Sequence, residues 1–262
     1  MSSLFKLRVE KLRDRGRIYD FLASDRIANA YQIGDLDEVH FAQSTWFAAL
    51  DEQGEIEAAL LILEGLSLPV VFSSGSQRGA QTLFRSCALP PRFHFQIWEG
   101  HRGSLESVHQ LHSSSHMARM ALHRSAFKPR TSPIGVVALG HLHTADIIEL
   151  YAHYPDNLFE PYQLGSGLYF GVREGGRLVS IAGIHVVSTE HDLAAIGNLV
   201  TDPTCRGKGY VTACTNRLLE ALFERVSLVT LNAKVENEAA VHTFERLGFQ
   251  HHLLYLEGRV GF

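Results

Sequence analysis

The chain has 262 residues, a formal net charge of −4 and 45% hydrophobic residues. That apolar fraction supports one large domain or two smaller ones, and the slight negative charge gives no basic bias that would favour a nucleic-acid partner. Charges interrupt the first apolar residues every second or third position, and no apolar run approaches the length of a membrane span. We therefore expect a cytoplasmic globular protein with neither a nucleic-acid nor a membrane partner.

Cysteine and histidine content bears on redox state and metal binding. The three cysteines form no Cys-x-x-Cys pair and leave one residue over, which is typical of a reducing compartment. Among the 15 histidines, His109, His112 and His116 have a spacing that would place them on one helix face. No acidic or cysteine ligand accompanies them, so we expect solvated histidines and no metal site.

The first half of the chain mixes helix and strand patterns. Apolar residues at helical spacing predict three helices: Val9 to Ala23, Gln77 to Cys87 and Gly103 to His112. Alternating or continuous apolar runs predict five strands: Ser44 to Leu50, Ile56 to Leu63, Val70 to Phe72, Phe93 to Trp98 and Met117 to Leu122. We expect an α+β domain over residues 1–128 with a sheet of its own.

The segment from Lys128 to Pro133 has two prolines and no apolar residue, so it is the predicted linker to a second domain over residues 134–262. Thr144 is a predicted N-cap for a helix that ends before Pro155. Five strands are predicted in this domain: Gly135 to Leu139, Gly167 to Val172, Arg177 to Val187, Ala194 to Val200 and Leu228 to Leu231.

A glycine turn joins the strand ending at Val200 to an amphipathic helix that starts near Val211. A helix start carries free backbone N–H groups and the positive end of the helix dipole, and so favours an anion. Gly207 and Gly209 would let a phosphate approach the backbone, and the neighbouring side chains are basic. The turn fits neither a Walker loop nor a dinucleotide-binding fingerprint. The alternatives are therefore a different diphosphate site or an ordinary tight turn with solvated basic side chains.

A second motif follows about thirty residues later, from Asn237 to Phe249. Together the two motifs resemble the GNAT superfamily of acyl-CoA-dependent N-acyltransferases. The segment from Arg206 to Val211 matches the family's Arg/Gln-x-x-Gly-x-Gly/Ala diphosphate loop, and Asn237-x-x-Ala240 with Phe244-Glu-Arg-Leu-Gly-Phe249 matches its closing helix and strand. The resemblance runs from about Val136 to the C-terminus. It implies an α/β (α+β) fold with a mixed, mostly antiparallel sheet flanked by helices.

The resemblance also implies acetyl-CoA or another acyl-CoA as co-substrate, and a small-molecule or peptide amine as acceptor, in a monomer or homodimer. In the family, the end of the strand before the loop pairs with the pantetheine arm, and the loop holds the diphosphate. The cofactor-binding residues carried over are Leu199, Val200, Thr201, Arg206, Gly207, Lys208, Gly209, Tyr210, Val211 and Asn237.

The catalytic residues are less defined. His185 lies in an otherwise apolar strand, so it is either a general base or a core histidine, and Asn198 is a candidate for the acceptor pocket. Two positions depart from the family. Val211 replaces a small residue at the end of the loop, and Phe244 stands where many members carry a tyrosine that protonates the leaving thiolate. Tyr255 or a water is an alternative proton donor.

Two further alternatives concern the whole chain. The first half is either a degenerate GNAT-like repeat that lacks the acyl-CoA loop, or another α+β domain. The second half is either an active N-acyltransferase, or a catalytically silent acyl-CoA-binding or regulatory module, which the phenyl ring of Phe244 favours.

Overall fold

A computed structural model of the chain describes residues 7–155, 157 and 159–262. Its internal contacts divide these residues into two compact units. Unit 1 contains the described residues up to Arg119 together with Ala233–Asn237 and His252–Phe262, and unit 2 contains Met120–Asn232 and Glu238–His251. Each unit thus combines separate stretches of the chain, whereas the boundaries predicted near residues 128 and 134 follow the chain continuously.

The described residues form both strands and helices. The strands are β1 Arg8–Leu12, β2 Ser44–Leu50, β3 Ile56–Leu63, β4 Val70–Gly75, β5 Phe93–Trp98, β6 Leu111–His123, β7 Val137–Ala138, β8 Phe170–Glu174, β9 Arg177–Ser188, β10 Leu193–Thr201, β11 Leu228–Lys234 and β12 Gln250–Val260. The α-helices are α1 Arg15–Leu22, α2 Ala30–Gly34, α3 Glu38–Ala42, α4 Gln77–Ser86, α5 Arg102–Glu106, α6 Thr144–Tyr151, α7 Tyr210–Phe223 and α8 Glu238–Arg246.

The two units repeat one strand order. In unit 1, β1 to β4 pair antiparallel in sequence order, and β4 then pairs parallel with β5. In unit 2, β7 to β10 pair in the same antiparallel order, and β10 pairs parallel with β11. A parallel pair needs a crossover, which α4 supplies in unit 1 and α7 in unit 2. The predicted mixed, mostly antiparallel sheet with flanking helices is confirmed.

The C-terminal strand belongs to the sheet of unit 1. Residues Tyr255 to Val260 of β12 pair antiparallel with β5. In β5 itself Phe93, Phe95 and Ile97 are fully buried, while the residues between them are only half-buried, as expected when one sheet face meets a core. Leu256 and Val260 join the same buried cluster. The last residues of the chain therefore complete a core built mostly from its first hundred.

Two predicted helices are partly wrong. The segment from Val9 to Ala23 begins as the strand β1, because Arg8 to Leu12 pair with β2, and α1 starts only at Arg15, where Asp14 caps it by accepting from the N–H of Arg17. The helix predicted from Gly103 ends at Glu106, and β6 begins at Leu111.

The shortened helix removes the predicted histidine face. His112 and His116 lie on β6 rather than on a helix, and the ring of His109 packs edge-on against Phe93. The Nε2 atom of His116 lies 3.1 Å from Oε1 of Glu99. The described part of the chain contains no group of three or more potential metal ligands. Nor does it contain a helix long and apolar enough to cross a membrane.

Asp35 is a buried acid in unit 1. It follows α2, is 3% exposed, and has a pKa that burial raises to about 7. Since the folded state holds this proton up to about pH 7 whereas the unfolded chain releases it near its ordinary pKa, the folded state binds more protons between these values. Stability from this group is therefore full at acidic pH and decreases as pH rises towards 7.

We predict that Asp35→Asn stabilises the protein at pH 8 by on the order of 3 kcal/mol relative to wild type, with little difference at pH 4. The measurement is urea unfolding of both proteins across this range. A wild-type advantage that grew with pH would show that the carboxylate is charged and stabilising in the folded state.

Candidate functional site

The strand β10 carries a bulge in unit 2. Gly197 is opposite Gly183 of β9, and the next pair along the ladder is Val200 with Ile181. Two residues of β10, Asn198 and Leu199, thus face the single residue between these β9 partners. Asn198 adopts the left-handed backbone conformation with φ 55°, which asparagine tolerates better than most residues.

A second register shift lies three residues earlier and involves His185. Ala195 is opposite Val186 and Ile196 is opposite Ile184, so His185 is the extra residue on β9. Its half-buried ring lies against the backbone of Gly197, where an added Cβ would be 1.9 Å from Nε2 of His185. The absence of a side chain at position 197 therefore makes room for the imidazole.

His185 and Asn198, the two predicted catalytic residues, both lie in this doubly bulged segment. The side chain of Asn198 forms hydrogen bonds with residues distant in the chain. The Oδ1 atom of Asn198 accepts from the hydroxyl of Tyr151 at 2.5 Å, and its Nδ2 atom donates to the hydroxyl of Tyr169 at 2.7 Å and to Oε1 of Gln163 at 3.2 Å. The Tyr169 hydroxyl also lies 2.9 Å from the carbonyl oxygen of Ile184. Asn198 is the centre of a buried polar network.

Aromatic packing surrounds this network. The ring of Phe159 stacks on that of Tyr151 and meets the ring of Tyr169 edge-on. Burial raises the pKa of both tyrosines, so their hydroxyls remain protonated hydrogen-bond donors at neutral pH. Gly183 accommodates this packing, because a Cβ there would lie 2.2 Å from the Tyr169 ring.

Among the described residues, the parallel pairing of β10 with β11 runs from Leu193–Leu228 to Ile196–Leu231 and ends there, although β10 continues to Thr201. The end of pairing coincides with the bulge. Backbone groups of residues 197–201 therefore lie beyond the described pairing with β11. Two of them have side-chain partners: the carbonyl of Val200 accepts from Ser180, and that of Thr201 accepts from Tyr154.

The predicted anion loop follows β10 and ends at the N-terminus of α7. Gly207 and Gly209 have φ of 78° and 80°, and an added Cβ at Gly207 would meet no atom within 4 Å. Gly209 is the N-cap residue of α7 and provides no side-chain hydrogen bond to the first turn. Tyr210 and Val211 are half-buried at the helix start. Both glycines are thus needed for their backbone conformation, and the N-cap residue of α7 supplies no side-chain cap.

The corresponding loop of unit 1 is built differently. The side chain of Ser76 caps α4 by accepting from the N–H of Gly79 at 3.0 Å. Beside it, Nε2 of His101 lies 3.0 Å from the carbonyl oxygen of Gly75, and Nδ1 lies 2.9 Å from the hydroxyl of Ser73. The side chain of Ser76 therefore caps the helix in unit 1, whereas the N-cap residue of α7 in unit 2, Gly209, provides no such bond.

Acidic side chains hold the loop of unit 2. Asp202 is nearly fully buried and accepts at Oδ1 from the backbone N–H of Thr204 at 2.8 Å and at Oδ2 from Arg177 at 2.6 Å. Hydrogen bonds from Thr204 and Arg177 lower the pKa of Asp202 to about 2, so it is ionised at neutral pH. Glu174 accepts from Nζ of Lys208 at 2.7 and 2.9 Å.

The remaining predicted site residues lie as follows. The guanidinium of Arg206 donates to the hydroxyl of Tyr154 at 2.9 Å. Phe244 is buried in α8 and packs edge-on against Phe249. Asn237 precedes α8, in the short segment that groups with unit 1, and its N–H donates to the carbonyl of Lys234. Its role at a cofactor remains a prediction.

Tyr255 does not fit the role of substitute proton donor. Its side chain is buried in unit 1, and its hydroxyl donates to the carbonyl of Ala28 while accepting from Nε1 of Trp98 at 2.9 Å. Both hydrogen-bonding functions of this hydroxyl are thus used within the core of unit 1.

Sequence reasoning missed several residues of this site. The network partners Tyr151, Gln163 and Tyr169 lie 29 to 47 positions from Asn198, and no local motif links them to it. Asp202 was detectable, because an acid directly after a strand and before Pro203 is a common start of a capped turn.

Comparison with known proteins gives a family match for the second half of the chain. Residues 136–249 match the acetyltransferase (GNAT) family model. Residues 136–249 therefore form a GNAT acetyltransferase domain, which supports a transferase. No curated protein matches the chain.

Solved structures with the same fold extend beyond the matched segment. A GCN5-related N-acetyltransferase from Sphaerobacter thermophilus is 16% identical with a TM-score of 0.62, covering 97% of this chain and 95% of that one. A tandem GNAT protein from the clavulanic acid biosynthesis pathway is 13% identical with a TM-score of 0.60, covering 98% and 99%. A GNAT-family protein from Novosphingobium aromaticivorans is 19% identical with a TM-score of 0.58, covering 77% and 88%. GNAT-fold neighbours thus cover the N-terminal part of the chain as well.

We predict that Tyr169→Phe destabilises the protein by about 1–3 kcal/mol, because it leaves buried polar groups of the Asn198 network without a partner. Thermal or urea unfolding measures the change. Tyr162→Phe is the matched control. Tyr162 is 49% exposed, so removal of its hydroxyl should cost less than about 0.5 kcal/mol. Equal effects of the two substitutions would contradict the network's importance.

Proposed function

We propose that unit 2 is an N-acyltransferase that transfers an acyl group, in particular acetyl, from acyl-CoA to an amine of a small molecule or peptide. One observation carries the proposal: a helix start without a side-chain cap directly follows a glycine turn at the end of a bulged strand. It supports the proposal because the N–H groups of the helix start would meet a diphosphate, and backbone groups at the bulge would meet a thioester arm, along one continuous stretch, residues 197–211.

The loop residues fit a diphosphate chemically. The first turn of α7 offers N–H groups and the positive end of its dipole, and both glycine positions leave the backbone accessible. Arg206 and Lys208 add positive charge beside them. We propose that the loop from Arg206 to Val211 holds the diphosphate, with the pantetheine arm along Leu199 to Thr201, and acetyl-CoA supplies the activated thioester.

The bulge provides a way to stabilise the reaction's charge. When the amine attacks the thioester carbonyl, negative charge develops on the carbonyl oxygen, and a preorganised backbone N–H aimed at that atom lowers the barrier. A bulged residue is left outside the regular ladder, so its N–H is available for this purpose. We propose that Asn198 serves as a positioning residue whose side-chain network fixes this conformation, rather than as a group that exchanges protons.

His185 remains our proposed general base. An imidazole can accept a proton near neutral pH, and the ring lies over Gly197, next to the bulge. The leaving thiolate needs less help, because a thiol with an ordinary pKa of about 8.5 departs tolerably as an anion. The phenyl ring of Phe244 therefore does not preclude turnover.

We predict that Gly207→Asp raises the Kd for acetyl-CoA at least tenfold, while Gly207→Asn changes it by less than about threefold. The two side chains have similar size and both tolerate positive φ, so the comparison isolates the repulsion between the carboxylate and the diphosphate. Isothermal titration calorimetry gives the affinity and the stoichiometry, which we expect to be one acetyl-CoA per chain because the helix end in unit 1 is capped. Wild-type affinity in Gly207→Asp would rule out this loop as the diphosphate site.

We predict that His185→Gln lowers kcat by roughly 10²- to 10⁴-fold, as expected for the loss of a general base, with the Kd for acetyl-CoA unchanged. The assay is thiol release with a mixed panel of amines, with mass detection of the acylated product. Normal turnover in the variant would contradict the assignment of His185. Tight acetyl-CoA binding by the wild type without thiol release for any amine would instead support the silent module, which the missing hydroxyl at Phe244 favours.

A further inference from the structure

The tight turn between β8 and β9 lies against the loop of the proposed site. Glu174 and Arg177 pair across this turn, and the two residues between them, Gly175 and Gly176, both have positive φ, 58° and 83°. Positive φ at both central positions is typical of the two-residue hairpin turns that match the twist of the strands. The turn therefore presents one acidic and one basic side chain from a short, well-defined scaffold.

The basic side chain reaches the start of the loop. Arg177 donates to Oδ2 of Asp202 at 2.6 Å, and the other oxygen of Asp202 accepts from the N–H and the hydroxyl of Thr204 at 2.8 and 2.6 Å. The backbone N–H of Asp202 in turn donates to the carbonyl of Val179 at 2.8 Å. The buried carboxylate thus connects the hairpin to the turn that begins the loop.

The acidic side chain reaches the middle of the same loop. Glu174 accepts from Lys208 at 2.7 and 2.9 Å and from the thiol of Cys205 at 3.3 Å. These two partners flank Gly207. Hydrogen bonds from Lys208 and Cys205 lower the pKa of Glu174, so the carboxylate is ionised at neutral pH.

Apolar packing does little to order this part of the loop. Residues 206–209 are exposed, and at Gly207 no atom lies within 4 Å of the place where a Cβ would be. Glycine loses more backbone entropy on ordering than any other residue. A ligand that had to order this segment itself would bind more weakly by that cost.

We infer that the turn from Glu174 to Arg177 is a loop clamp, which preorganises residues 202–209 for the diphosphate through two ion pairs of opposite polarity. This role rests on the proposed function of the loop. The clamp residues are positioning residues, since they act through Asp202, Cys205 and Lys208 rather than on the ligand.

A competing role of Glu174 would change the acyl-CoA affinity in the opposite direction. If Glu174 mainly neutralised Lys208, its removal would strengthen acyl-CoA binding. Two features favour ordering instead: Glu174 also binds Cys205, which carries no positive charge, and the Arg177–Asp202 pair fixes the loop start without engaging any of its cations.

The test compares Glu174→Ala and Arg177→Ala with wild type in two measurements. Hydrogen exchange of the unliganded protein should be faster in residues 204–210 for both variants. The Kd and the KM for acetyl-CoA should rise about threefold to tenfold, the range expected for one or two partly exposed charged pairs, while kcat and the acceptor KM remain unchanged. Glu174→Asp and Arg177→Lys should recover part of the loss.

Glu106→Ala is the matched control, because Glu106 forms an exposed ion pair with Arg102 in unit 1. It should change neither measurement. Unchanged exchange in the loop, or equal or tighter acetyl-CoA binding by Glu174→Ala, would overturn the clamp. Failure of the wild type to bind acetyl-CoA would instead refute the proposed function, and the exchange measurement alone would then decide whether the clamp orders the loop.

Discussion

The site depends on a backbone constraint in β10, where two residues occupy the space of one. The bulge at Asn198 and Leu199 interrupts the ladder with β9, and pairing with β11 ends just before it. A bulge leaves backbone groups unpaired and is costly unless surrounding contacts hold it in place. Here the buried amide of Asn198, bonded to two tyrosines and a glutamine, supplies those contacts. The buried polar groups thus stabilise the bulged conformation of β10.

The bulge and the loop are connected through a few residues of continuous chain. The strand ends at Thr201, Asp202 begins a capped turn, and Gly209 starts α7. Each step is fixed by a different kind of interaction: a hydrogen-bond network, an ion pair to the buried carboxylate of Asp202, and a positive φ that glycine permits. The thioester end and the diphosphate end of one ligand would therefore lie against a segment with little freedom to rearrange.

Local chemistry explains what the sequence could predict. The hairpin of β2 and β3, the helix α4 and the glycine turn all depend on patterns within about ten residues, and all were predicted. The start of the chain was not, because Val9 to Leu12 fit a helical pattern but pair with β2 more than thirty residues away. The partners of Asn198 were missed for the same reason. Propensity and spacing describe neighbours in sequence, whereas a strand at a sheet edge or a buried network is decided by distant partners.

The repeat of one strand order in both units makes their two helix starts comparable. Ser76 caps α4 with its own hydroxyl, whereas Gly209 leaves α7 uncapped. The strand order is thus shared, and under the proposed function the capacity for an anion would depend on one residue at each helix N-terminus together with the glycine turn before it. Similar topology alone would have assigned the same role to both units.

The pairing of β12 with β5 bears on how the protein can be divided for study. A fragment that ends at the predicted linker near residue 128 would lack Leu256 and Val260 from its core and would expose the edge of β5. Exposed edges of this kind promote association between chains. Recombinant pieces of the N-terminal half would be expected to need the last eleven residues, His252–Phe262, supplied in the same chain or as a separate peptide.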